Sequence, residues 1–302
     1  MRPGKQSSIR RVTSWHLVGA QVRHFRKRAG LTQASLAARL AVGEEAIASI
    51  EQGRRSLLLD LAIRIDELLD TGGALQVAVE KIPREERYKA LAKDFFQYEQ
   101  DAASVHAYET QLIPGLLQTE AYARFVFGCN YPPVEEDVIE MRVAERLGRQ
   151  KLLERKPRPV LHFILEENIL HTQLGVPEVM RDQLLHLRRC MDLPFVTLQI
   201  MPRTAPGHAG LGGPLLLLET SDHGQLAYVS GHLHASVFDE PADVSALTQR
   251  YGMLRSQALT VQESTRLLDA LLARAPQHTR PLVLPPSTGS SRATAANRSD
   301  TT

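Results

Sequence analysis

Residues 30–55 read GLTQASLAARLAVGEEAIASIEQGRR, and this stretch decides the fold of the N-terminal part of the chain. Leu36 and Leu40 lie four residues apart, and Ile47 and Ile50 lie three apart, which places one apolar face on each of two short helices. Between the two helices, Gly43 is a residue typical of turns. The pattern therefore predicts two short amphipathic helices joined by a tight turn.

The segments on either side of this stretch are also amphipathic. Their apolar residues at helical spacing are Val18, Val22 and Phe25 before it, and Leu61, Ile65 and Leu68 after it. Four short helices with one apolar face each predict a compact, all-helical module. In such a module the second helix of the central pair can enter the major groove of DNA while its partner holds it against the backbone.

Residue type and spacing agree here with a known family. The matching positions are Leu31-Thr32-Gln33, Leu36-Ala37, Val42, the run from Ile47 to Glu51, and Gly53. The segment of roughly residues 17–70 therefore resembles the helix-turn-helix of the Cro/cI-like, xenobiotic-response-element regulators. The resemblance implies binding to double-stranded DNA. A helical module that only packs or contacts other proteins is the alternative interpretation.

The charge distribution favours a nucleic-acid partner for the same segment. Residues 1–58 contain eleven Lys or Arg residues and three acidic residues, a net charge of +8. The whole chain has a net charge of +2, so residues 59–302 have a net charge of −6. Basic charge concentrated in one segment attracts phosphates to that segment.

The resemblance places the DNA contacts on the second helix of the pair and next to it. The candidate DNA-binding residues are Gln33, Glu44, Glu45, Ala48, Ser49, Gln52, Arg54 and Arg55. Gln33 matches a family position that contacts backbone or bases. Ser49 and Gln52 are expected at exposed positions as neutral hydrogen-bonding groups, and Arg54 and Arg55 are expected to reach a phosphate.

Two of these candidates depart from the family pattern. Glu44 and Glu45 stand where the family usually has Ser or Thr followed by polar or basic residues. Carboxylates favour the first turn of a helix. They repel phosphates, however, and accept hydrogen bonds only from a base donor such as cytosine N4. The motif therefore predicts DNA binding without predicting the operator sequence.

Composition limits the remaining possibilities. Cys129 and Cys190 lie far apart without a CxxC spacing, which favours free thiols in a reducing compartment. No apolar run approaches the roughly 20 residues that span a bilayer, and no export signal is recognisable. We therefore expect a cytoplasmic protein without a membrane contact, and nothing in the sequence indicates a cofactor.

The rest of the chain predicts a second domain with an α+β (or α/β) fold behind the mainly α helix-turn-helix domain. Strands are expected at VHAYETQLI, VLHFILEE, FVTLQIMP, GPLLLLET, QLAYVSG and ASVFDE. The predicted organisation is a basic flexible arm over 1–15, a helix-turn-helix domain over 16–72, a connecting helix over 73–104, an α+β effector or partner-binding domain over 105–275, and a disordered tail over 276–302.

The second domain carries its own resemblance. Its matching segments are LIPGLLQTEAYAR, EENIL, MPRTAPGHAGLGGPLLLLE, and the ending from EPADV to LTVQES, with TGGAL at 71–75 as the junction. They resemble the WhiJ-like, antitoxin-like regulators of actinobacteria across most of residues 98–272. Members often sit beside a small partner protein, so the resemblance implies such a partner.

No catalytic or metal site is predicted. His232 and His234 share one strand face, but no third metal ligand can be placed beside them. Ser230 lacks the glycines of a nucleophile elbow. We therefore expect a dimeric, sequence-specific transcriptional regulator with a ligand- or partner-sensing C-terminal domain. The alternatives are an antitoxin-like protein whose DNA binding is autoregulatory, or an enzyme.

Overall fold

The structure, a computed structural model, describes residues 13–231 and 235–274. The predictions for most of the basic arm, for the tail over 276–302 and for His232 and His234 lie outside these residues. The helices are α1 Ser14–Arg28, α2 Gln33–Leu40, α3 Glu44–Glu51, α4 Leu59–Leu69, α5 Ala74–Glu80, α6 Arg84–Gln100, α7 Glu120–Gly128, α8 Glu136–Arg149, α9 Glu167–His171, α10 Pro177–Cys190, α11 Pro241–Gln257 and α12 Val261–Arg274. The strands are β1 Ala102–Glu109, β2 Val160–Glu166, β3 Val196–Met201, β4 Leu215–Thr220, β5 Gln225–Val229 and β6 Ser236–Phe238.

The N-terminal helices form the predicted module around one apolar core. Val22, Leu36, Ile47 and Ile65 are completely buried within it. The turn between α2 and α3 differs in detail from the prediction: Ala41 adopts the left-handed conformation with φ 56°, while Gly43 caps the N-terminus of α3. In place of one connecting helix over 73–104, the chain forms α5 and α6, and α5 packs against α1 and α4.

The C-terminal domain is built on a six-stranded mixed sheet in the order β3-β2-β1-β4-β5-β6. Strands β1, β2 and β3 run parallel, whereas β4, β5 and β6 are antiparallel to their neighbours. All six strand segments predicted from the sequence are present, and the α+β prediction is confirmed. Strand β2 ends at Glu166, so Glu167 begins α9 rather than continuing the strand.

The two faces of the sheet are covered by different helices. Tyr251 of α11 stacks on His106, and its hydroxyl donates a hydrogen bond to the carbonyl oxygen of His162 on the same face. On the opposite face, Phe95 of α6 packs on Tyr228 of β5 with ring centroids 4.5 Å apart. Burial between α11 and the sheet lowers the pKa of His162 to about 4, so this histidine is neutral at physiological pH.

Helix α6 joins the two domains through the segment that follows α3. The Asp94 carboxylate accepts hydrogen bonds from the backbone nitrogen and the hydroxyl of Ser56, both at 2.8 Å. The Tyr98 hydroxyl donates a hydrogen bond of 2.7 Å to the carbonyl oxygen of Ser56. Ser56, Asp94 and Tyr98 are all buried. The buried apolar residues of the helix-turn-helix domain, of α6 and of the sheet face that α6 covers form one continuous cluster, and those between α11 and the sheet form a second one.

Candidate nucleic-acid interface

The N-terminal turns of α2 and α3 line one cleft. Thr32 caps α2, and its side chain accepts a hydrogen bond of 3.0 Å from the Ser35 backbone nitrogen. Helix α3 buries Ile47 and Ile50 and leaves Glu44 and Glu45 exposed, with Ala48 half-buried. The outward face of α3 is therefore short, and acidic at its N-terminal end.

A buried ion pair holds α1, α2 and α3 together. The Arg26 guanidinium donates two hydrogen bonds to the Glu51 carboxylate, and a third of 2.7 Å to the carbonyl oxygen of Leu31. The side chains of Arg26 and Glu51 are only 9% and 2% exposed. The Gln33 amide also donates to Glu51, at 2.7 Å. Gln33, predicted to contact DNA, thus uses one amide hydrogen to complete this network.

Ser49 was predicted at an exposed position, and this was wrong: it is only 5% exposed. The cause is the close approach of α1 to the last turn of α3. A Cβ atom on Gly19 would lie 2.2 Å from the carbonyl oxygen of Ile50, so only glycine permits this contact. Of the candidate residues on or just beyond α3, Glu44, Glu45, Ala48 and Gln52 remain accessible from outside, Glu44, Glu45 and Gln52 being exposed and Ala48 half-buried.

Arg54 and Arg55 were both predicted to reach a phosphate, but they lie in different environments. Arg54 is exposed and donates a hydrogen bond of 3.0 Å to the Gln52 side chain. Arg55 is 9% exposed, donates a hydrogen bond of 2.7 Å to Asp101, and lies 4.2 Å from the centroid of the Tyr98 ring. The prediction for Arg55 is therefore corrected: it belongs to the contact between the domains.

Three of the predicted site residues meet at one open cleft. Gln33, Glu44 and Gln52 line it together with Arg23 of α1. The sequence reasoning counted Arg23 only as charge, although its position one helical turn before Arg26 places it on the same side of α1. Between residues 13 and 58, the exposed cations are Arg23, Lys27, Arg28, Arg39 and Arg54. Of these, Arg23 lines the same cleft as Glu44, and Arg54 contacts the Gln52 side chain just beyond α3.

Other kinds of site were sought in the part of the chain that the structure describes. Among residues 13–231 and 235–274, no three His, Cys, Asp or Glu side chains are arranged to hold a metal ion. Within the same residues, none of the helices is long and apolar enough to cross a membrane.

The comparisons with known proteins match two separate segments of the chain. Residues 17–78, which contain most of α1, all of α2 to α4 and most of α5, match the family described as a helix-turn-helix domain. Residues 92–270 match the family described as a domain of unknown function, DUF5753. Searches of curated proteins and of solved structures gave no match. Because the second match covers more than half of the chain, the protein belongs to the DUF5753 family, with a helix-turn-helix domain at its N-terminus.

Proposed function

We propose that the protein is a sequence-specific DNA-binding transcriptional regulator that inserts α3 into the major groove. The observation that carries the proposal is the helix-turn-helix itself, whose α3 presents Glu44, Glu45 and Ala48 beside Gln52. The exposed arginines around α3 would contact phosphates and fix its orientation. Glu44 and Glu45 would then favour operators that offer cytosine amino groups.

We further propose that the regulator acts as a homodimer in the cytoplasm. One helix-turn-helix contacts few base pairs, so useful specificity normally requires two copies on a two-fold symmetric operator. Two parts of the chain could form the dimer contact, the C-terminal domain and helix α6, but α6 already uses one side in its own chain, where Leu91, Phe95 and Tyr98 are buried. This arrangement favours the C-terminal domain as the dimer contact.

The C-terminal domain is proposed to sense a ligand or a partner protein and to have no catalytic activity. The Cys190 sulfur lies 3.5 Å from the His186 ring, a pairing found in thiol enzymes. Burial, however, raises the pKa of this thiol to about 11, which leaves it protonated and unreactive. The resemblance to the WhiJ-like, antitoxin-like regulators supports a small partner protein as the alternative to a small-molecule ligand.

The electrostatic part of the proposal is tested by a salt titration of binding to a duplex of arbitrary sequence. We expect Arg54→Ala to weaken binding to all sequences. The slope of the logarithm of the binding constant against the logarithm of the salt concentration should become less steep by about 0.9, the value for one phosphate contact. Arg266→Ala, which removes an exposed arginine of α12, is the matched control and should change neither quantity. An Arg54→Ala curve that coincides with the Arg266→Ala curve would contradict the proposed orientation on DNA.

A further inference from the structure

A cavity of about 310 Å³ lies between the sheet and helices α6 and α8. Its floor is a single row across the sheet, in which Phe163, Ala107, Leu216 and Tyr228 are direct neighbours on β2, β1, β4 and β5. The one small side chain of the row, Ala107, lies between two larger ones and leaves the space open. Phe96 and Leu112 are exposed lining residues, so the cavity opens to solvent beside them.

Three of the four charged groups that line the cavity already have partners. Arg149 forms two hydrogen bonds with Glu99, of 2.7 and 2.8 Å, and its guanidinium lies 4.1 Å from the centroid of the Phe96 ring. Arg146 donates a hydrogen bond of 2.8 Å to the Gln118 side chain and lies 4.8 Å from the centroid of the Phe127 ring. These contacts hold both guanidinium groups at the wall.

The fourth charged group, the Glu109 carboxylate, has no such partner. It extends from the end of β1 on the same face as Val105 and Ala107, and no side chain in the described part of the chain donates a hydrogen bond to it. Glu109 is half-buried, so its carboxylate has lost part of its hydration without gaining a donor, and a bound donor would remove that cost. The cavity therefore combines an apolar floor with one unsatisfied acidic group.

The environment of Glu109 also affects the pKa of its carboxyl. Burial raises the pKa of its carboxyl to about 7, although the Arg146 and Arg149 guanidinium groups act in the opposite direction. The titratable and charged groups that face it are Arg146 and Arg149 on α8, Glu99 on α6, Tyr122 on α7 and Tyr228 on β5. The effect of the two arginines on the pKa of the carboxyl is smaller than the effect of burial.

We propose that this cavity is the effector site of the regulator, and that its ligand is a small organic amine with an apolar body. The protonated amine would pair with Glu109, while its hydrocarbon part would lie on Leu216 and Tyr228 beside Phe96. The volume lies at the lower end of the range of small-molecule sites. A ligand of about the size of an arylalkylamine fits that volume.

Helix α6 connects this site to the DNA-binding domain. Phe95, Phe96 and Glu99 line the cavity, whereas Asp94 and Tyr98 on the same helix bind Ser56, five residues after the end of α3. A ligand that moves or stiffens α6 therefore acts on the segment that fixes α3. The effector role, unlike the binding site, rests on the proposed function in DNA binding.

The test uses the full-length protein and three probes of similar shape: 2-phenylethylamine, 2-phenylethanol and 3-phenylpropionate. Calorimetry at pH 8 should give an affinity for the amine at least about tenfold above that for the alcohol, since hydrogen bonds to charged groups are among the strongest. In Glu109→Gln this preference should disappear, and in Glu178→Gln, which removes an exposed carboxylate of α10, it should persist.

The affinity for the amine should also fall when the pH is lowered from 8 to 6, because protonation of Glu109 removes the negative charge.

Each alternative outcome overturns part of the proposal. Equal binding of amine and alcohol, preference for the carboxylate probe, no binding of the amine, or an unchanged preference in Glu109→Gln would each exclude the amine site. Binding of the amine without any change in DNA affinity would exclude the effector role. The DNA affinity of the ligand-free protein is measured in parallel, so that a failure of DNA binding is seen separately from a failure of the amine site.

Ala107→Leu, which fills the floor of the cavity, should abolish amine binding and preserve DNA binding by the ligand-free protein.

Discussion

Glu51→Ala should lower the free energy of unfolding of the helix-turn-helix domain by about 3–5 kcal/mol, the cost of breaking a buried ion pair by removing one partner. The substitution leaves the Arg26 guanidinium buried, with only the carbonyl oxygen of Leu31 to accept from it. It also removes the acceptor of the Gln33 amide. Since small domains are stable by only about 5–15 kcal/mol, the loss is a large fraction of the total.

Urea denaturation followed by circular dichroism measures this effect. Glu67→Ala, which removes an exposed carboxylate from α4, is the matched control and should change stability by no more than about 0.5 kcal/mol. A loss below about 1 kcal/mol for Glu51→Ala would place the pair in the range of surface ion pairs. The buried network would then not be what holds α1, α2 and α3 together.

Tyr98→Ala should separate the unfolding of the two domains. Tyr98 is 1% exposed, its hydroxyl binds the carbonyl oxygen of Ser56, and its ring supports the Arg55 guanidinium. Truncation of a buried aromatic side chain costs about 3–5 kcal/mol. Because this side chain lies where α6 meets the segment after α3, we expect differential scanning calorimetry to show two transitions where the wild type shows one.

Tyr98→Phe distinguishes packing from hydrogen bonding at the same position. It keeps the ring and removes only the hydroxyl, so it should cost about 0.5–1.5 kcal/mol and retain a single transition. Two transitions in Tyr98→Phe would assign the coupling to the hydrogen bond with Ser56. A single transition in Tyr98→Ala would show that the domains are coupled elsewhere, for example through Arg64 and Asp222.

Local patterns were sufficient to predict most of the secondary structure, although not the division of 73–104 into α5 and α6. Helices α2 and α3 were predicted from leucine and isoleucine spacing alone, because an amphipathic helix repeats its buried positions within a few residues. All six strands were found in the same way from short β-prone runs bounded by turns. Strand order was not predictable, because pairing between β1 and β4 depends on residues more than one hundred positions apart.

The candidate site was predicted less completely than the fold, for the same reason. Ser49 and Arg55 are polar residues of a kind that usually lies at the surface. The close approach of α1 to the end of α3 at Gly19, and the contact of Arg55 with Tyr98 of α6, involve residues outside the local pattern. The cavity beside Glu109 likewise depends on the register that places Ala107 between Phe163 and Leu216.

The most direct test of DNA recognition by α3 is selection of sites from fragmented genomic DNA by the purified full-length protein, read by sequencing. We predict enrichment of fragments that share an inverted repeat, with half-sites about one helical turn apart, as expected for two copies on a two-fold operator. Ala48→Glu, which places a carboxylate on the outward face of α3 without disfavouring the helix, should lose this enrichment. No selective retention by the wild type, or the same fragments retained by Ala48→Glu, would contradict the account.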